Sequence, residues 1–110
     1  VQANVIALRR RSDMEPVERP DPGWPTPHEL RAFLILADEL HFGRAASILG
    51  VAQSSLSELI RRLESKVDAV LLERTSRRVS LTPAGFRMLG PARRVLTELA
   101  SMRTDLRPAR

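Results

Sequence analysis

The sequence predicts a mainly α-helical fold: three short helices, a small β-hairpin and one long closing helix. Three observations carry this expectation. Apolar residues recur at helical spacing in three successive stretches between residues 27 and 67. A run of strand character from Val70 to Leu81 is interrupted by the polar, basic Thr75-Ser76-Arg77-Arg78. A Thr82-Pro83 pair then opens a helical pattern reaching Leu106, which at 1.5 Å per residue is about 36 Å long.

The chain of 110 residues suits one small domain with one core. With 43% hydrophobic and only 4% aromatic residues, that core must be aliphatic. There are no cysteines and only two separated histidines, His28 and His41, so disulfides, thiolate metal sites and a histidine-based catalytic set are not expected. No enzyme activity, metal or cofactor is anticipated. No apolar run is long enough for a membrane span and no leader-like hydrophobic stretch is present, which points to a cytoplasmic protein. Residues 1–27 hold four arginines and four acids, so the whole formal charge of +5 belongs to residues 28–110. A basic folded region is attracted to polyanions, nucleic acid first.

Residues 1–26 read as a Pro-rich, disordered extension, because five of the eight prolines lie between Pro16 and Pro27. Its triple Arg9-Arg10-Arg11 is followed at once by acids and reads as a solvated segment, and Trp24 as a side chain resting loosely on a neighbour. Order begins at Thr26-Pro27-His28-Glu29, an N-cap, a first-turn proline and the glutamate of a capping box. Leu30, Phe33, Leu34, Ala37 and Leu40 then form one apolar stripe, with Glu29, Arg31, Asp38 and Glu39 off it. His41 marks a helix boundary. A short second helix from about Gly43 to Leu49 turns Ala45, Ala46 and Leu49 inward and ends at Gly50 in a left-handed conformation.

The third helix spans about Gln53 to Val67, with Leu56, Leu59, Ile60, Leu63 and Val67 facing the core and Ser54, Ser57, Glu58 and Arg61 opposite. At least one of Gln53, Ser54 and Ser55 is expected to cap it. The hairpin of Val70–Arg74 and Val79–Leu81 has the basic tip Arg77-Arg78. In the long helix, Leu89, Ala92, Leu96, Leu99 and Leu106 follow 3-4 spacing, broken only at Arg103, and Pro91 predicts a bend. A helix longer than its core needs is expected to meet a second chain. The organisation is therefore an extension (1–26), a winged helix-turn-helix domain (27–81), a linker or dimerisation helix (82–106) and a tail (107–110).

The function follows from what such parts can do. An α-helix fits the major groove, and small hydroxyl and amide side chains on its first turns can reach base edges. A hairpin tip carrying Arg77 and Arg78 can reach the adjacent minor groove or backbone and add salt-dependent affinity.

The segment ADELHFGRAASILGVAQSSLSELIRRLESKVDAVLLERTSRRVSLTPAGFRML resembles the N-terminal winged helix-turn-helix domain of the LysR-type transcriptional regulators. The likeness rests on HFGRAA, the frame of Gln53 and Ser57 ending in IRRLE, the wing LLERTSRRVSLT and the helix-opening TPAG, and it covers about residues 28 to 106. It implies a transcription regulator that binds a pseudo-palindromic operator in double-stranded DNA as a homodimer joined through the C-terminal helix. Relatives carry a small-molecule effector domain that these 110 residues lack. Carried over by position, Gln53, Ser54, Ser55, Ser57, Glu58 and Arg61 would face bases or phosphates. Gly43 and Arg44 would lie near the DNA backbone, Arg74 and Arg78 would belong to the wing's contacts, and Arg77 would enter the minor groove. Leu89, Ala92, Leu96, Leu99 and Leu106 would form the dimer seam.

Two positions depart from the family pattern. Glu58 stands where a basic or amide residue is usual; it either accepts from a cytosine amino group or turns away to pair with Arg61 or Arg62, the latter being favoured. Asp68 replaces a helix-terminating glycine and is expected in the left-handed region. Arg62, Glu64, Arg93 and Arg94 read as solvated. The alternative function is a helical dimerisation or interaction protein whose DNA binding is weak or non-specific.

Overall fold

The computed structural model describes residues 23–108. The extension's arginine triplet and the last two residues lie outside that range. Helix α1 is Pro27–Glu39, α2 Phe42–Leu49 and α3 Gln53–Val67; strands β1 (Leu72–Arg74) and β2 (Val79–Leu81) follow, then α4, Pro83–Asp105. The strands pair antiparallel with Leu72 opposite Leu81 and Arg74 opposite Val79. Trp24 is exposed.

Helix starts were legible because their caps are local. Thr26 Oγ1 accepts from the Glu29 amide at 3.1 Å while Glu29 Oε1 accepts from the Thr26 amide at 2.9 Å, completing the capping box. Gly50 ends α2 at φ 77°, and Asp68 ends α3 at φ 53°, the expected left-handed conformations. At the start of α3, however, the N-cap residue is Ala52 and no side chain caps it, so the expected capping by Gln53, Ser54 or Ser55 is absent. α2 also begins one residue before Gly43, at Phe42, which is buried.

The core is aliphatic apart from Phe33 and Phe42, with Phe33, Leu36, Leu56, Leu63 and Leu71 its largest fully buried side chains. Helix α1 packs against α2, α3 and α4 together, so its buried arc is wider than one stripe. Ala32 and Leu36, outside the stripe read from the sequence, are therefore buried, while Leu40 leaves the helix at φ 50° and is exposed. Glu29 is buried too, with its carboxylate bound to Lys66 Nζ of α3 at 2.8 and 3.0 Å. Burial pushes this carboxyl up, but the Lys66 hydrogen bonds and charge and the Thr26 amide outweigh it and hold it below the ordinary glutamate value.

Two contacts fix the wing. Glu64, expected to be solvated, accepts from the Leu71 and Leu72 amides at 2.7 and 3.3 Å and anchors the entry to β1. Thr82 Oγ1 donates to the Val70 carbonyl at 2.6 Å and accepts from the Gly85 amide at 3.0 Å, so one hydroxyl caps α4 and ties it to the strand entry.

Helix α4 divides the apolar stripe read from the sequence. Ala92 is buried at 1% exposure within its own chain, and Leu89 and Leu96 pack partly on the same core. Periodicity identifies an apolar face without saying which chain covers it. The apolar side chains left uncovered further along are Val95, Leu99, Met102 and Leu106.

Candidate nucleic-acid interface

The candidate surface consists of the exposed front of α3, the start of α2 and the hairpin. Gln53, Ser54 and Ser55 occupy the first turn of α3, are exposed, and have no side-chain hydrogen bond within the described residues. This first turn also carries unpaired backbone amides, the positive end of the helix dipole.

Glu58 turns toward its own helix. Its Oε2 accepts from Arg61 through both Nη2 and Nε, and its Oε1 accepts from Arg62 Nε at 3.3 Å. The Arg61 hydrogen bond, aided by the charges of both arginines, keeps the Glu58 carboxyl below the ordinary glutamate value and therefore ionised at neutral pH. Arg61, expected to face DNA, is thus engaged in the uncomplexed chain, although its side chain remains 74% exposed.

Arg74 and Arg44 are also more committed than the sequence suggested. The Arg74 guanidinium carbon lies 4.1 Å from the centre of the Phe42 ring, and Nη1 is 3.5 Å from Ser57 Oγ. Arg74 therefore spans from wing to helix-turn-helix, stacked on a buried aromatic. Arg44 reaches back to α1, with Nε 3.4 Å from Glu39 Oε1 and Nη2 donating to the Glu39 carbonyl.

The wing tip is built by Thr75, whose role sequence reading missed. Its amide donates to the Arg78 carbonyl at 2.9 Å, and its hydroxyl oxygen accepts from the Arg77 and Arg78 amides at 3.3 and 3.1 Å. A threonine opening a four-residue polar turn was the available signal. With the backbone so occupied, the side chains of Arg77 and Arg78 project, exposed and without a partner among the described residues. They line one side of an open cleft whose other side includes His41, Gly43 and Gln53. A second cleft, behind Arg74 and Phe42, is lined by Ser54, Ser57, Glu58 and Arg61. Among the described residues, no group of acids and histidines could hold a metal ion, and no helix is long and apolar enough to cross a membrane.

A three-helix core with a helix-turn-helix, a two-stranded wing and a cationic wing tip beside the second helix of that motif defines a winged helix-turn-helix protein. Residues 27–86 match the bacterial regulatory helix-turn-helix protein, lysR family, and the chain belongs to that family. It is 53% identical over 72 residues to a probable hydrogen peroxide-inducible genes activator of Mycobacterium xenopi, covering 66% of this chain and 38% of that protein. It is 45% identical over 80 residues to the transcriptional regulator ShiR of Corynebacterium glutamicum, covering 73% of this chain and 27% of that one. This chain thus spans well under half the length of these relatives. Among solved structures, the BenM DNA-binding domain in complex with benA site 1 DNA superposes with a TM-score of 0.67 at 35% identity, covering 72% of this chain and 92% of that one. Vibrio fischeri DarR in complex with DNA gives 0.71 at 32% identity, covering 74% of this chain and 28% of that one.

Proposed function

We propose that this chain is the sequence-specific DNA-binding part of a cytoplasmic transcriptional regulator, acting as a homodimer on a pseudo-palindromic operator. Helix α3 enters the major groove, Gln53, Ser54 and Ser57 approach base edges, and Arg77 enters the adjacent minor groove with Arg78 at the backbone. The observation that carries this reading is the pairing of a polar first turn on α3 with two arginines across an open cleft, their side chains without partners among the described residues. Arg61 can exchange its ion pair for a phosphate at little cost, because solvent screens so exposed a pair. Arg74 serves as a strut between wing and helix.

Dimerisation is assigned to α4, whose 23 residues extend past the domain's core. Two half-sites about one DNA turn, roughly 34 Å, apart then face the two α3 helices.

The test is selection of duplexes from a random pool, followed by binding measured against salt. A recovered two-fold-related motif, bound with an affinity that falls steeply with salt, is expected. Equal affinity for all duplexes at moderate salt would favour the alternative of an interaction protein with non-specific DNA binding.

A further inference from the structure

His41 precedes α2 and serves as its N-cap: Nδ1 accepts from the Arg44 amide at 3.0 Å. Capping alone does not call for histidine. Ser, Thr, Asp and Asn are the preferred caps, and this chain uses threonine at Thr26 and Thr82. The ring is held on a second side as well. A Cβ on Gly43 would lie 3.0 Å from His41 Cε1 and 3.4 Å from Nδ1, so the imidazole occupies space that only glycine leaves fully open. An accepting Nδ1 carries no proton, which places the neutral ring's proton on Nε2 and makes that atom a donor. It has no partner among the described residues, and the exposed ring lines the cleft with Gln53, Arg77 and Arg78.

We propose that His41 Nε2–H donates to a backbone phosphate of the bound duplex. This rests on the reading that the cleft faces DNA. A helix in the major groove and a wing in the neighbouring minor groove are separated by one sugar-phosphate strand, and that strand must cross the cleft between α3 and the hairpin. Arg77 and Arg78 meet it from the wing, and His41 meets it from the opposite wall. Gly43 then acts by making room for the imidazole, a more specific role than general proximity to the backbone.

The test uses the 110-residue chain and a duplex it has selected from a random pool. His41→Asn and His41→Ser both keep a competent cap and remove the Nε2–H donor at the ring's outer edge, which their shorter side chains do not reach. Each is expected to bind more weakly by about tenfold or more, the size of one hydrogen bond from a neutral donor to a charged acceptor, with an unchanged thermal midpoint. The dependence of affinity on salt should keep its slope, because a neutral donor releases no counterion. Arg77→Ala, measured in parallel, should lose affinity and about one unit of salt slope. Wild-type binding by both His41 variants while Arg77→Ala weakens would overturn the His41 contact alone. A slope reduced by about one in the His41 variants would also overturn it, since the lost contact would then be ionic. No effect from any of the three variants would overturn the DNA-facing cleft itself.

Discussion

At the scale of single residues, the charge on the exposed front of α3 is held in local pairs. Glu58 neutralises two arginines that could otherwise bind phosphate. Glu58→Gln should release them, raising affinity for unrelated duplex several-fold at low salt and steepening the salt slope by about one per freed arginine. Operator preference should survive if the carboxylate is occupied locally, as its two ion pairs indicate. Competition binding with single-base operator variants checks this, and preference lost at one base pair would assign Glu58 to a cytosine instead. Acid acts on a second carboxylate, the buried Glu29. The Glu29 carboxyl is lower in the folded chain than its ordinary value of 4.5. The stability it supplies is therefore fully present above that ordinary value and is lost as pH falls through the lower, folded one. Lys66→Met should destabilise by about 3–5 kcal/mol near neutral pH, since it strands a buried carboxylate. Urea unfolding of both proteins should show the difference shrinking as pH falls below the ordinary glutamate value of 4.5 and the carboxyl protonates.

At the scale of elements, the start of α4 depends on one missing side chain. A Cβ at Gly85 would stand 2.2 Å from the Leu71 carbonyl oxygen and 2.9 Å from Leu81 Cδ2. Alanine gains about 1 kcal/mol over glycine in an ordinary helix interior. Here overpacking against backbone, which costs about 1–3 kcal/mol or more, should win. Gly85→Ala should lower the thermal midpoint by several degrees in a calorimetric scan, and a raised midpoint would show that α4 can shift away from β1. The TPAG signature was visible in the sequence, but the carbonyl that makes its glycine necessary lies 14 residues earlier. That contrast recurs. Thr26-Pro27, Gly50 and Thr82-Pro83 mark their boundaries because capping is satisfied within three or four residues. The Lys66–Glu29 pair joins residues 37 apart and had no local trace. The stacking of Arg74 on Phe42 likewise depends on how the wing folds back on α2, and so Arg74 read only as one of the wing's DNA contacts.

At the scale of the whole molecule, the decisive feature is one stripe with two fates. Met88, Ala92, Val95, Leu99, Met102 and Leu106 follow each other at alternating steps of four and three along α4. Its first members are covered by the chain's own core: Met88 is half-buried and Ala92 is 1% exposed. The rest are bare, with exposures of 45% at Val95, 37% at Leu99, 55% at Met102 and 81% at Leu106. The proposed dimer accounts for a stripe that is core at one end and solvent-facing at the other as a core continued into a second copy, since an apolar seam of this spacing suits helix pairing. The double substitution Leu99→Asp, Met102→Asp should therefore leave the monomer folded, with an unchanged helical circular dichroism signal, while halving the mass measured by light scattering. DNA affinity should drop by orders of magnitude with it, because one half-site supplies only part of the phosphate contacts. Leu96→Asp acts differently: its side chain packs on its own domain, so it should lower the thermal midpoint as well as weaken the dimer. A double variant that remains dimeric would move the interface off this stripe, and one that unfolds would show that the monomer depends on its partner for stability.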